Sequence, residues 1–174
     1  MNVYLLRHAH ALDVGESGVQ SDEDRPLSDQ GRQQAALVAD AARRLGLKFD
    51  QVLTSPLRRA LETAQEFCHH LDIPETALVT CTELEPGGSS KKLMKRLRSL
   101  EASDVVLVGH SPDLNQHAAR LIGDKQTEVD IAKAGLAYVR CDAPPRKGAG
   151  ALVWLLPPDV DEALSGRQPR VAAS

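Results

Sequence analysis

The sequence predicts an α/β protein, a three-layer α/β/α sandwich in which helices cover both faces of a mostly parallel central sheet. Short apolar stretches of strand length alternate along the chain with longer segments whose apolar residues recur at helical spacing. One short stretch, the VVLV that follows Asp104, is continuous and β-branched, which is typical of a strand covered on both faces. Strands and helices that alternate in this way form parallel sheets with right-handed crossovers.

The first half of the chain contains three predicted strands and two predicted helices. The strands are short apolar or β-branched stretches at Asn2–Leu6, Gln51–Thr54 and Leu78–Thr80. The first helix follows the N-cap residue Ser28 and ends near Gly46, and its inward face comprises Ala35, Val38, Ala39, Ala42 and Leu45. Ser55 and Pro56 predict the start of the second helix, as an N-cap followed by a proline in the first turn.

The second half adds two helices and three strands. Ser89 or Ser90 caps a basic helix that ends at Leu100, and Ser111-Pro112 begins a helix that ends at Ile122. The three strands are predicted at Asp104–Val108, Gly135–Arg140 and Ala151–Leu156. We expect residues 1–158 to form a single domain and residues 159–174 a flexible tail, because residues 157–174 contain three prolines and few large apolar side chains.

The composition fits one globular domain of 174 residues, with 42% hydrophobic and 26% charged residues. A net charge of −3 argues against sequence-independent binding of nucleic acid, which needs a basic surface. No apolar run approaches the roughly 18 residues of a membrane span, and no secretory leader is predicted. The three cysteines lack CxxC spacing and fit reduced thiols. We therefore expect a cytoplasmic monomer that binds neither nucleic acid nor membrane.

Basic side chains, arginine or histidine, follow three of the predicted strands. Arg7 and His8 follow the first strand, Arg58 and Arg59 lie just after the second, and His110 follows the VVLV strand. Because ligands bind outside the carboxyl ends of the strands in such sheets, we expect these side chains to meet at one edge. Arginine forks and helix N-termini bind phosphate oxygens, and histidine near neutral pH can act as a nucleophile or a proton donor. The arrangement predicts a site for a phosphoryl group.

Four motifs resemble those of the histidine phosphatase superfamily, which includes the phosphoglycerate mutases. Arg7-His8-Ala9 resembles its RHG motif, with Ala9 where the family usually has glycine. The other three are the segment from Ser55 to Ala64, Gly109-His110, and the run Arg25-Pro26-Leu27-Ser28 with Gly31 and Gln34. In its small size the chain is most similar to the short SixA-type phosphohistidine phosphatases. The resemblance spans residues 1–158 and implies a phosphoglycerate mutase-like fold.

The resemblance also implies a role for each residue of the predicted site. His8 is the nucleophile that becomes phosphorylated, Arg7 and Arg59 hold the phosphoryl oxygens, and His110 completes the pocket. Glu85 and Glu83 are candidates for a general acid, since related esterases place a carboxyl group after the third strand. We also assign Ser55 and Ser111, at the two helix starts, to substrate binding. No metal or other cofactor is expected, because arginine and histidine supply the positive charge that phosphoryl transfer needs.

The predicted function is that of a metal-independent phosphatase with a phosphohistidine intermediate, acting on phosphohistidine in a protein. The chain has no long insertions between its strands, so we expect an open pocket that admits a protein side chain. The alternatives are a small-molecule phosphomonoesterase of the same superfamily and a catalytically silent phosphate-binding module. A separate question concerns the basic helix, which is either a solvated face or a docking strip for an acidic partner; its cations are Lys91, Lys92, Lys95, Arg96 and Arg98.

Overall fold

Six strands form one central sheet in the computed structural model, which describes residues 1–123, 126–142 and 144–158. The strands are β1 (Asn2–Arg7), β2 (Gln51–Thr54), β3 (Leu78–Thr80), β4 (Asp104–Gly109), β5 (Leu136–Cys141) and β6 (Gly150–Leu156). Their order across the sheet is β3-β2-β4-β1-β5-β6. The first four strands of that order are parallel, and β5 and β6 are antiparallel to their neighbours. The predicted strands are confirmed, and the predicted tail lies outside the described residues.

Four helices cover the sheet: α1 (Asp29–Arg44), α2 (Arg58–His70), α3 (Ser90–Arg98) and α4 (Asp113–Ile122). Ser28 caps α1 by accepting a hydrogen bond from the Gly31 amide, and Ser89 caps α3 in the same way. Leu45 does not belong to the inward face of α1 as predicted. The helix ends at Arg44, Gly46 turns the chain at a φ of 67°, and the Leu45 side chain is left exposed.

The serine-proline pairs do not begin the two helices they were predicted to begin. Helix α2 begins at Arg58 with Leu57 as its N-cap, and α4 begins at Asp113 after Pro112. The Ser55 hydroxyl accepts a hydrogen bond from the Leu57 amide at 3.3 Å and lies 2.9 Å from His110 Nε2, so it stands in the turn before the helix. The Arg58 amide donates instead to the Glu23 carbonyl of a preceding loop. Both serine-proline pairs therefore lie in the turns between strand and helix, where ligands of parallel sheets bind.

Two apolar cores, one on each face of the sheet, confirm the three-layer sandwich. Alternate strand residues point to opposite faces, so Leu5 and Leu107 belong to one core while Leu6 and Val108 belong to the other. Helices α3 and α4 pack on the first core through Leu93, Met94, Leu97, Leu114, Ala118 and Leu121. Helices α1 and α2 pack on the second core through Val38, Ala39, Ala42, Ala60, Ala64 and Phe67. Within the described residues, no helix is long and apolar enough to cross a membrane.

The pairing of the parallel strands aligns their carboxyl ends at one edge of the sheet. Arg7, the last residue of β1, pairs with Gly109, the last residue of β4. Thr54, the last residue of β2, pairs with Val108. The residues that follow these positions therefore start from the same edge, and we call it the catalytic edge.

Candidate active site at the carboxyl ends of the parallel strands

His8 lies in the turn after β1 and is 8% exposed. Its Nδ1 is 2.8 Å from the Ala9 carbonyl oxygen. A carbonyl only accepts, so Nδ1 must carry the proton and Nε2 must keep its lone pair. Burial lowers the pKa of His8 to about 3, and the charges of nearby His110, Arg59 and Arg7 act in the same direction. The geometry thus presents a neutral imidazole with Nε2 available as a nucleophile.

The Thr63 hydroxyl connects the turn that holds His8 to helix α2. It accepts a hydrogen bond from the Ala9 amide at 3.1 Å and donates one to the Arg59 carbonyl at 2.7 Å. Ala9 is fully buried and packs with Leu27 and Ala134, and it is not among the residues with positive φ. An alanine in place of the usual glycine therefore causes no backbone strain at this position.

His110 follows β4 and faces His8, with a distance of 5.0 Å between the ring centroids. Its Nε2 lies 2.9 Å from the Ser55 hydroxyl, while its Nδ1 is buried and has no partner among the described residues. Burial lowers the pKa of His110 to about 4, and Arg59 lowers it further against the opposing effects of Asp22 and Asp113. His110 is neutral at pH 7, so one of its ring nitrogens carries a proton and the other a lone pair. Ser55 fixes the ring through Nε2, and in the tautomer in which Ser55 donates to Nε2 the Nδ1 atom carries the proton.

Each of the two predicted arginines has one guanidinium nitrogen without a hydrogen-bond partner among the described residues. Arg7 donates from Nη1 to the Ile131 carbonyl at 3.0 Å, and Arg59 donates from Nη1 to the Asp22 carbonyl at 2.6 Å. The Nε atom of each guanidinium is buried and has no partner among the described residues. Buried polar atoms are normally paired. Two unpaired Nε atoms beside the unpaired Nδ1 of His110 therefore indicate a site completed by an anion.

Adjacent arginines at the start of α2 have different environments. The Arg59 side chain is 6% exposed and lies in the site, whereas the Arg58 side chain is 54% exposed and pairs with Glu62 one helical turn later. Neighbouring residues on a helix differ by about 100° in direction, so only one of the two can face the catalytic edge. The structure directs Arg59 to that edge.

A loop between β1 and α1 covers the site more closely than the sequence predicts. The Asp22 carboxylate accepts a hydrogen bond from Arg59 at 3.1 Å, in addition to the bond from Arg59 to its backbone carbonyl. Arg25 fixes the loop by bonding Asp22, Asp13 and the Leu12 carbonyl. The hydrogen bond from Arg25, aided by Arg59, lowers the pKa of Asp22. The Asp22 carboxylate is thus bonded to the guanidinium that a phosphoryl group would need. No sequence motif identifies Asp22.

The remaining predicted residues lie around the site. Ser111 donates to the Asn115 side chain at 2.9 Å, and Asn115 also accepts from the Ile131 amide. Glu83 and Glu85 both line a cleft of about 340 Å³ after β3. Glu83 accepts a hydrogen bond from the Cys81 thiol, which together with Arg96 and Lys92 lowers its pKa. Glu83 is therefore ionised at neutral pH, a state unsuited to a general acid.

A family comparison shows which superfamily the chain belongs to. The model of the histidine phosphatase superfamily, branch 1, matches residues 3–92. The chain belongs to this superfamily. An uncharacterized protein of Picosynechococcus is 35% identical over 147 residues, which cover 82% of this chain and 87% of that one. The mitochondrial serine/threonine-protein phosphatase Pgam5 of Drosophila mojavensis is 37% identical over 86 residues, but the match covers only 49% of this chain and 28% of that protein.

Two solved structures share the fold across most of the chain. The protein histidine phosphatase SixA complexed with tungstate superposes with a TM-score of 0.80 at 27% identity, covering 91% of this chain and 97% of that one. The alpha-ribazole phosphatase from Shigella flexneri superposes with a TM-score of 0.70 at 19% identity, covering 91% and 97%. The latter likeness shows the fold alone. Together with the family match, the SixA structure supports a phosphatase activity and confirms the phosphoglycerate mutase-like sandwich.

Proposed function

We propose that residues 1–158 form a metal-independent phosphatase that passes the phosphoryl group through His8 and acts on phosphohistidine in proteins. The observation that supports this most directly is that a histidine lone pair lies beside buried nitrogens that have no hydrogen-bond partner. His8 has a free lone pair on Nε2, and unpaired buried nitrogens of Arg7, Arg59 and His110 lie beside it. A nucleophile surrounded by buried donors suits the attack on a tetrahedral dianion.

In the first step, the Nε2 lone pair of His8 attacks phosphorus, and the bond from phosphorus to the substrate nitrogen breaks. The leaving imidazole keeps the electron pair of that bond and takes a proton from solvent. The arginines neutralise the charge that spreads over the three equatorial oxygens, and neutral His110 lies beside them as a hydrogen-bonding group. In the second step, water attacks the phosphorylated His8, the P–N bond breaks, and Nε2 regains its lone pair as inorganic phosphate departs.

Two features favour phosphohistidine as the substrate. Imidazole is a better leaving group than an alkoxide and needs less help from a general acid, and Glu83 is ionised at neutral pH. The SixA likeness points in the same direction at 27% identity. We further propose that the protein is a monomer and that it is cytoplasmic. The three buried free cysteines, Cys68, Cys81 and Cys141, support the cytoplasmic location.

A small-molecule phosphomonoesterase is the second candidate function. The observation that favours it is the cleft of about 340 Å³ lined by Glu83, Glu85 and Lys92, which offers a compact leaving group a carboxyl group and a cation. Glu85 is then the residue to protonate the leaving oxygen. A silent phosphate-binding module is the weaker alternative, because such a module has no use for the fixed tautomer of His8.

The deciding experiment offers wild-type protein both free phosphohistidine and simple phosphate esters. We expect turnover of phosphohistidine to exceed that of the esters and to persist in EDTA. An acid-labile, alkali-stable phosphoryl adduct accumulates on wild type and is absent from His8→Ala, which has no turnover. The control is His69→Ala at an exposed histidine of α2, which keeps full activity. Ester turnover in excess of phosphohistidine turnover would favour the second function, and full activity of His8→Ala would refute the mechanism.

A further inference from the structure

Helix α3 and its flanks concentrate positive charge in a chain that is acidic elsewhere. Residues 86–100 contain five cations and no Asp or Glu. The whole chain has 21 Lys and Arg and 24 Asp and Glu. Outside residues 86–100 it therefore has 16 cationic and 24 acidic residues. The charge of this stretch is opposite in sign to that of the rest of the molecule. Such an asymmetry acts on the approach and orientation of a charged partner.

The packing of α3 determines which cations face solvent. Leu93, Met94 and Leu97 are buried against the sheet, which leaves Lys91, Lys92 and Lys95 on the exposed face. We call these three residues the lysine face. Arg96 forms an ion pair with Glu83 at 3.9 Å and donates to the Thr80 carbonyl, and Arg98 donates to the Pro145 carbonyl. Among residues 1–123, 126–142 and 144–158, no carboxylate forms an ion pair with the lysine face.

Two of these lysines occupy positions that oppose helix stability. Lys91 and Lys92 lie in the first turn of α3, which contains no acidic residue. The helix N-terminus carries partial positive charge, so cations there are unfavourable and acids are the usual choice. Local sequence choices that conflict with the stability of their own element are expected at functional positions.

The lysine face begins beside the catalytic edge. Ser90, the residue before Lys91, is joined to His117 of α4 by a hydrogen bond of 2.7 Å. The Gly87 amide donates to the Asp113 carboxylate at 3.0 Å, and Asp113 lies three residues after His110. The first turn of α3 is therefore tied to the same helix, α4, that follows His110 in the chain.

We propose that the lysine face docks the acidic surface of a protein substrate and holds its phosphorylated side chain over His8. This inference rests on the proposed function. A protein with an acidic patch near its phosphorylated residue has the charge complementary to Lys91, Lys92 and Lys95. A nucleic acid fits less well, because a long polyanion would extend beyond the face over a surface that is acidic on average.

The test compares three probes: free phosphohistidine, a phosphohistidine peptide flanked by glutamates, and the same peptide flanked by serines. For wild type at low salt, we expect kcat/KM for the glutamate peptide to exceed that for the serine peptide by about tenfold. Lys91→Glu/Lys95→Glu abolishes this preference and changes the turnover of free phosphohistidine less than twofold. The matched control is Arg44→Glu/Lys48→Glu, which makes the same charge change at the last residue of α1 and in the loop before β2, at the opposite edge of the sheet, and keeps the preference. Raising the salt to about 0.5 M removes the preference in wild type.

The outcomes separate this proposal from the proposed function. No turnover of any of the three probes by wild type refutes the proposed function. Turnover of free phosphohistidine without a glutamate preference, or with one that survives Lys91→Glu/Lys95→Glu, overturns the docking proposal alone. RNA binding that the same variant abolishes, with no peptide preference, would assign the face to nucleic acid and also overturn it. Thermal unfolding followed by circular dichroism verifies that both double variants are folded.

Discussion

At the scale of single residues, Arg58 and Arg59 differ in task although they are adjacent and chemically identical. A lysine keeps the charge but cannot make the two parallel bonds of a guanidinium fork. Losing such a contact to a transition state costs about 2.7–4 kcal/mol, or roughly 10²–10³ in rate. We expect Arg59→Lys to lower kcat/KM by that factor and Arg58→Lys to change it little, as measured by steady-state kinetics. A large effect of Arg58→Lys would show that the first turn of α2 is oriented differently in solution.

Asp22 is a residue whose removal should strengthen anion binding. Its carboxylate is bonded to Arg59, so inorganic phosphate must displace it to reach the guanidinium. We expect Asp22→Asn to bind phosphate about threefold to tenfold more tightly in calorimetric titration, because the competing charge is gone. The control is Asp24→Asn, which removes the same charge from a carboxylate bonded to Ser21 in the same loop. Weaker binding by Asp22→Asn would mean that the carboxylate positions Arg59 for phosphate and does not compete with it.

At the scale of elements, α1 packs against the turn after β1 through a glycine. A Cβ added at Gly31 would lie 1.9 Å from the His10 carbonyl oxygen. Glycine to alanine inside a helix normally stabilises by about 1 kcal/mol, but overpacking of this kind costs about 1–3 kcal/mol. We expect Gly31→Ala to lower the free energy of unfolding in urea, and to reduce kcat because His10 is two residues from His8. The control is Gln30→Ala at an exposed position of the same turn. A more stable Gly31→Ala variant would show that the turn after β1 moves to accommodate the added methyl group.

The elements that sequence could predict are those set by local pattern. Strand Gln51–Thr54 and the Ser28 cap of α1 follow from apolar runs and capping chemistry, and both agree with the structure. The start of α2 at Arg58 was missed because the Arg58 amide bonds the Glu23 carbonyl, which belongs to a loop far away in the chain. The contact of Asp22 with Arg59 was missed for the same reason, since loop contacts leave no periodic pattern. Contacts between residues far apart in the chain determine these two features, and such contacts cannot be recognised in a single sequence.

At the scale of the whole molecule, two buried neutral histidines make stability depend on pH. Burial lowers the pKa of His8 to about 3 and that of His110 to about 4, from 6.5. The unfolded chain therefore binds more protons than the folded chain between these values, and stability falls as pH drops below about 6.5. At pH 5 the loss is on the order of 1–2 kcal/mol for each histidine. Urea unfolding at pH 7.5 and 5 should show this loss. In His110→Asn the loss of stability between pH 7.5 and 5 should be smaller by the contribution of one histidine. An equal loss in both proteins would contradict the burial of a neutral His110.

The position of β1 in the sheet has a consequence for biosynthesis. Its neighbours are β4 and β5, so Asn2 pairs with Asp104 and Leu6 pairs with Leu136. A ribosome adds about 5–20 residues per second, so roughly 5–20 s separate the synthesis of β1 from that of its first partner. During that interval His8 has no His110 beside it, and an apolar strand waits unpaired, a state in which chaperones recognise nascent chains. His8 is thus translated well before His110, and the proposed site is complete only when the fourth strand has left the ribosome.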